Sequence, residues 1–113
     1  MIGIIGAMEE ENRILLENMT EKIEETHFHL VFTRGKIENQ DVVLVQSGIG
    51  KVNSAIATAF IIDRYRPDFV INTGSAGGLN AALHVGDVVV ADKVAYHDVD
   101  ATAFGYSVGQ VPQ

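Results

Sequence analysis

The chain has 113 residues, 47% of them apolar and 20% charged, with only two prolines; this excludes a disordered tract and leaves room for one modest core but no second complete domain. Fifteen acidic against eight basic residues give a net charge of −7 with no clustering of Lys and Arg, which excludes nucleic acid and other polyanions as partners. The lack of cysteine excludes disulfides and thiolate metal sites and agrees with a reducing cytosol.

Residues 1–5, rich in isoleucine and closed by Gly6, read as a central strand covered on both faces. They are apolar but lack a basic leader, and no run reaches ~18 apolar residues, so a soluble cytoplasmic protein without membrane contact is expected. From Glu9 the residues become helix formers. Leu15, Met19 and Ile23 fall four apart on one face, and three glutamates occupy the first turn, where the helix dipole favours them. Residues 28–33 are β-rich, and Glu38-Asn39-Gln40 makes a polar turn into the apolar run 42–45, which predicts two strands joined by a hairpin. After Ser47-Gly48-Ile49-Gly50, the spacing of Val52, Ala55, Ile56, Ala59 and Phe60 predicts a largely buried helix that ends at Arg66-Pro67. Residues 69–71 then read as another buried strand and residues 88–90 as a further one. Strands alternating with helices predict an α/β fold. The tail 101–106 is too apolar and aromatic to lie in water without a partner.

Four segments could carry chemistry. The turn Gly6-Ala7-Met8-Glu9-Glu10-Glu11 follows a strand and opens a helix, the end of an open α/β sheet where ligands bind. A glutamate partly desolvated there could act as general base on water, or the three acids could simply complement the helix dipole. Three carboxylates at this position would repel phosphate. The second segment, Ser47-Gly48-Ile49-Gly50-Lys51-Val52, invites a nucleotide-loop reading that fails on spacing. A P-loop needs glycine at 45 and Ser or Thr at 52, where this chain has Val45 and Val52, and the third glycine of a dinucleotide fingerprint falls on Asn53. A tight strand-to-helix turn accounts for it equally well. In the third, Asn72-Thr73-Gly74-Ser75-Ala76-Gly77-Gly78, glycines would let backbone N–H groups approach a sugar or an anion, and the alternative is a plain glycine turn. The fourth, Tyr96-His97-Asp98-Val99-Asp100, lacks converging ligands, and no metal and no cofactor are expected.

Together these segments resemble one family. Residues 3–11 (Gly-Ile-Ile-Gly-Ala-Met-Glu-Glu-Glu), 47–53 (Ser-Gly-Ile-Gly-Lys-Val-Asn), 71–79 (Ile-Asn-Thr-Gly-Ser-Ala-Gly-Gly-Leu), 85–89 (Val-Gly-Asp-Val-Val) and Tyr96-His97-Asp98 with 100–106 are similar, in order and spacing, to the bacterial 5′-methylthioadenosine/S-adenosylhomocysteine nucleosidases. The resemblance implies a three-layer α/β/α fold of the nucleoside phosphorylase/hydrolase type, truncated after about half of its mixed sheet. Residues 1–113 would be the N-terminal part of a single nucleosidase domain. It also implies hydrolysis of the N-glycosidic bond of methylthioadenosine and S-adenosylhomocysteine, and of 5′-deoxyadenosine, in methionine salvage. Glu11 would be the base that activates water, Ser75 would help hold that water, and Gly77 would lie against the substrate. Met8 and Ile49 would line the pocket near the ribose and its alkylthio group. Ala101, Phe104, Tyr106 and Pro112 match positions that reach across a homodimer to close the neighbour's alkylthio pocket. The acid that protonates the departing purine, an aspartate, and a glutamate that binds the ribose hydroxyls belong to the family's other half, so the 113-residue chain alone is expected to be inactive. Two further readings stay open: a phosphorolytic purine nucleoside phosphorylase, against which the acids after Gly6 and the presence of only four arginines argue, and an inactive fragment that binds or oligomerises through exposed sheet edges.

Overall fold

In the computed structural model, which describes residues 1–112, the chain falls into two compact units, Met1–Gly77 and Gly78–Gln113. Among the described residues, all the strands lie in the first. β1 (Ile2–Gly6) leads into α1 (Glu9–Asn18), then β2 (Thr20–His27), β3 (Leu30–Ile37), β4 (Gln40–Gln46), α2 (Lys51–Phe60) with a π-helical turn at Ile61–Tyr65, and β5 (Phe69–Asn72). The five strands form one mixed sheet in the order β2-β3-β4-β1-β5. β1 runs parallel to both β4 and β5, while β2, β3 and β4 make an antiparallel meander.

The pleat explains the layers. Successive residues of a strand point to opposite faces, so β1 and β4, apolar at nearly every position, must be covered on both. Ile4, Val42 and Leu44 face α1, whose Leu15 and Leu16, with Met19 just beyond, pack on them. Ile5, Val43 and Val45 face the other way, with Phe32 and Leu30, onto Ala57 and Ile61. The result is a three-layer α/β/α arrangement. Gly3 lets the π turn sit close to the sheet, since a Cβ there would lie 2.7 Å from Ile61 Cγ2.

Several local expectations are corrected. α1 stops at Asn18, and Ile23, placed by its spacing on the helix, lies in β2 and is exposed. Met19 ends the helix in extended geometry, and pairing with β3 then outweighs the four-residue spacing. Phe28 sits in the β2–β3 turn with φ 54°. The predicted hairpin is β3–β4, turned by Glu38 and Asn39, both at positive φ as a tight two-residue hairpin requires. α2 buries only Ala57, with Val52 73% exposed, and β5 is an edge strand whose Phe69 and Ile71 are exposed rather than buried. No strand forms at residues 88–90 among the described residues; a strand exists only through a ladder to a neighbour, and these valines are solvent-exposed.

The second unit is built from turns. Leu83 N–H donates to Asn80 O, Gly109 N–H to Val99 O and Tyr96 N–H to Gly109 O, and its regular element is a single 3-10 turn at Thr102–Phe104.

Candidate active site at the carboxyl ends of the parallel strands

The register aligns three strand ends. Ile5 pairs with Val45 on one side and Asn72 on the other, and Gly6 pairs with Gln46. The ladders run on for one more bond each, Ser47 N–H to Gly6 O at 2.9 Å and Thr73 N–H to Ile5 O at 3.0 Å. The segments after β1, β4 and β5 therefore leave the sheet side by side, at the edge where parallel sheets place their ligands.

Met8 is the N-cap of α1, in extended geometry, and Glu11 is its third helical residue. From that position the Glu11 side chain turns back over the start of the helix. Its Oε2 accepts the N–H of Ala7 at 2.8 Å and of Met8 at 3.1 Å. Its Oε1 accepts the N–H of Ser75 at 3.0 Å and, more weakly, the Ser75 hydroxyl at 3.4 Å. These donors, led by the Ser75 backbone N–H and then that of Met8, hold the carboxyl below its ordinary pKa of 4.5 against the opposing pull of desolvation. Glu11 is thus a charged carboxylate at neutral pH. Close approach is what Gly74 provides: a Cβ on it would lie 2.5 Å from Glu11 Oε1.

Beside this carboxylate an open cleft of about 500 Å³ is lined by Ala7, Met8, Glu9, Glu10, Gln46, Gly48, Ile49 and Asn53. Ile49 is 74% exposed, an apolar side chain presented to whatever enters. Asn53 braces the loop by donating from Nδ2 to Ile49 O at 2.8 Å. A second cleft, near Met1, Arg34, Lys36 and Asp41, lies at the other end of β1.

The structure thus brings Glu11, Ser75, Met8 and Ile49 into one neighbourhood. Gly77 closes the same unit, with no atom within 4 Å of where its Cβ would be. Ala101, Phe104, Tyr106 and Pro112 belong to the second unit. There Ala101 O accepts the N–H of Phe104 at 2.9 Å and of Tyr106 at 3.4 Å, Phe104 is 81% exposed and Pro112 is exposed. Among the described residues no three His, Asp or Glu side chains converge as a metal site would require.

Gly74 and Ser47 lie in two of the segments singled out from the sequence, but their roles at the site, and Asn12 altogether, were not legible there. Gly74 makes room for the Glu11 carboxylate. Ser47, buried, donates its hydroxyl to Gly48 O and stiffens the second loop. Asn12, next to Glu11, is 2% exposed and packs against Gly6, yet neither of its amide atoms has a hydrogen-bond partner among the described residues. A polar residue one position past the catalytic candidate, on the helix face that Leu15 and Leu16 share, was the available signal.

Comparison with known proteins agrees with this geometry. The family model of the phosphorylase superfamily matches residues 1–113. The 5′-methylthioadenosine/S-adenosylhomocysteine nucleosidases of Staphylococcus haemolyticus and Staphylococcus aureus are 58% and 57% identical over 113 residues, all of this chain and 50% of each of theirs. Among solved structures, the nucleosidase of Colwellia psychrerythraea in complex with adenine is similar at TM-score 0.95 and 57% identity, covering 98% of this chain and 46% of that one. That of Neisseria meningitidis in complex with methylthio-immucillin-A gives TM-score 0.94 and 51% identity over 99% and 48%. The chain spans about half the length of the curated relatives it matches. With a family model matched from end to end and a carboxylate seated at the aligned strand termini, the chain belongs to the phosphorylase superfamily.

Proposed function

We propose that this chain carries the water-directing half of an N-glycosidic hydrolase that releases adenine from 5′-methylthioadenosine and S-adenosylhomocysteine, and from 5′-deoxyadenosine, in methionine salvage in the cytoplasm. The observation that carries the reading is the Glu11 carboxylate seated in the amides of Ala7, Met8 and Ser75. Converging backbone N–H groups of this kind can hold an anion such as phosphate, and here the chain's own carboxylate fills them. That favours water over phosphate as the nucleophile, and the names of the similar proteins support the same choice of reaction and substrate.

The chemistry follows from the charge. Departure of adenine leaves positive charge on the ribosyl carbon, which an anionic carboxylate beneath the ring stabilises. An ionised carboxylate has about four acceptor positions; three take strong donors and the fourth only the long bond from the Ser75 hydroxyl at 3.4 Å, which a water can displace while that hydroxyl turns to hold it. Because Glu11 is a weakened base, it orients the water first and takes its proton as the new C–O bond makes that water acidic. Met8, Ile49 and Gly77 bound the ribose and its apolar alkylthio substituent. In this reading the acid that protonates the leaving purine comes from the family's other half, so the 113 residues alone are expected to release no appreciable adenine, and both units belong to one nucleosidase domain.

A homodimer fits as well. Val52, Ala55, Ile56, Ala59 and Ile62 make an exposed apolar stripe at helical spacing, a surface that a second copy would cover. In such a dimer Ala101, Phe104, Tyr106 and Pro112 would close the partner's alkylthio pocket. Adenine release by the complete protein, assayed with and without inorganic phosphate, tests the reading: hydrolysis indifferent to phosphate supports it, and formation of a ribose 1-phosphate overturns it.

A further inference from the structure

One lip of the cleft is formed by the loop and first turn that open α2. Lys51 and Val52 are exposed, Asn53 and Ser54 are half-buried, and no residue in the first turn of α2 is buried. Burial of this helix is concentrated toward its far end, at Ala57 and at Ile61 in the π turn that follows. A helix whose burial is concentrated at one end transmits a tilt at that end to the other, which here carries the loop that lines the cleft.

The seated end is clasped from the side. Glu25 on β2 accepts the Tyr65 hydroxyl at 2.8 Å and pairs with Arg34 of β3 at 3.3 Å and with Arg64 of the π turn at 3.5 Å; His27 Nε2 stands 3.7 Å away. Around this carboxylate the rings interlock. Phe60 meets Phe28 edge-on at 5.0 Å and lies over His27 at 5.7 Å, and Phe32 contacts Tyr65 at 5.6 Å. The edge of the meander, which is remote from the cleft, is therefore tied to the last turn of the element whose first turn forms the cleft lip. π turns carry a hydrogen-bond register wider than an α-helix and recur where a helix is adapted to function.

We propose that the Glu25–Tyr65 clasp is the fulcrum that sets the position of α2 and, through it, of residues 48–53 at the cleft, making Glu25 and Tyr65 positioning residues. The clasp acts on the protein's own loop and holds whichever nucleoside the cleft takes, so its test is separate from that of the proposed activity.

Amide hydrogen exchange on the full chain reads the lip directly, because the Ser54 N–H donates to Gly50 O at 3.0 Å in the opening turn of α2. In Tyr65→Phe, exchange across residues 50–54 is expected to quicken at least about threefold while the β1–β4 ladder is unchanged. Acceleration confined to residues 61–66 would overturn the proposal, and so would a uniform acceleration of every amide, which signals lost global stability alone. If Tyr65→Phe does not fold, Glu25→Gln, which keeps an oxygen for the hydroxyl at lower charge, is read at the same amides with the same expected pattern. In the double variant the lip is expected to exchange no faster than in the more affected single variant, and additive acceleration would refute a shared clasp.

Discussion

The Glu11 carboxylate accepts the backbone N–H of Ser75, 64 residues further along the chain, at 3.0 Å. This bond joins the loop after β5 to the first turn of α1, so the same oxygen that is proposed to face a water also holds the two halves of the site together. Its replacement separates the two roles. Glu11→Gln keeps an oxygen for one set of amides, removes the charge and places an N–H donor against another; in the complete protein adenine release is expected to fall by at least about a hundredfold with the fold intact. A steady-state assay with methylthioadenosine, beside far-UV circular dichroism, checks it.

The pH dependence has a definite sign. Because Glu11 is held below 4.5 in the folded chain, its contribution to stability is fully present above that value and is lost as pH falls through the lower folded pKa. The difference in melting temperature between the native chain and Glu11→Gln is therefore expected to be constant from neutrality to about pH 5 and to shrink below it. Tyr65 shows the opposite case. Burial, together with the Glu25 carboxylate, pushes its hydroxyl from 10 up to about 12, so its contribution is full below pH 10 and disappears as pH rises toward 12. Thermal melts of native chain and Tyr65→Phe across that range are expected to converge at the alkaline end.

Gly74→Ala tests the close approach. A Cβ 2.5 Å from Glu11 Oε1 forces the carboxylate or the loop to move, and misplacement on that scale is expected to lower kcat in the complete protein by about tenfold or more while the sheet stays folded at the assay temperature. An unchanged kcat would mean that the loop is not held where the structure places it.

Asn12 makes a prediction in the stabilising direction. Its amide is buried with neither atom partnered among the described residues, at a cost of about 1–3 kcal/mol that an apolar side chain of similar size avoids. Asn12→Val is expected to raise the urea midpoint by an amount equivalent to about 1–2 kcal/mol. A lower midpoint would show that the amide is satisfied in solution.

The apolar stripe on α2 predicts self-association. Val52→Glu, at a 73% exposed position, is expected to leave the secondary structure unchanged and to dissociate the proposed dimer of the complete protein into monomers in size-exclusion chromatography with light scattering. An unchanged mass would place the interface elsewhere.

Much of the first unit could be read from residue order because local and long-range preferences agree there. β1 and β4 are apolar at consecutive positions, as doubly covered strands must be, and the glutamates of α1 lie where the helix dipole wants them. β2 could not be read this way. Thr20–His27 carries three glutamates and a lysine, and its strand geometry comes from β3 rather than from its own pattern. The valines at 88–90 mislead in the opposite sense: β-propensity expresses fit to a pleated neighbour, and none is paired with them among the described residues. At the site, the residue types at 11 and 75 suggested chemistry, but the carboxylate's turn back onto Ala7 and Met8 is a rotamer that spacing does not encode. The Glu25 clasp likewise joins residues 40 positions apart and left no local mark.

The order of the strands also bears on how the chain reaches this state. β2, β3 and β4 are joined by short turns and pair with their sequence neighbours, whereas β1 must find β4 and β5 across much longer stretches of chain. Loop-closure entropy then places meander formation early and docking of the parallel strands late. A substitution such as Val43→Ala, in the meander core, should slow refolding, while Gly74→Ala or Glu11→Gln should leave refolding alone and hasten unfolding. The reactive corner would then be the last part of the molecule to assemble and the first to come apart.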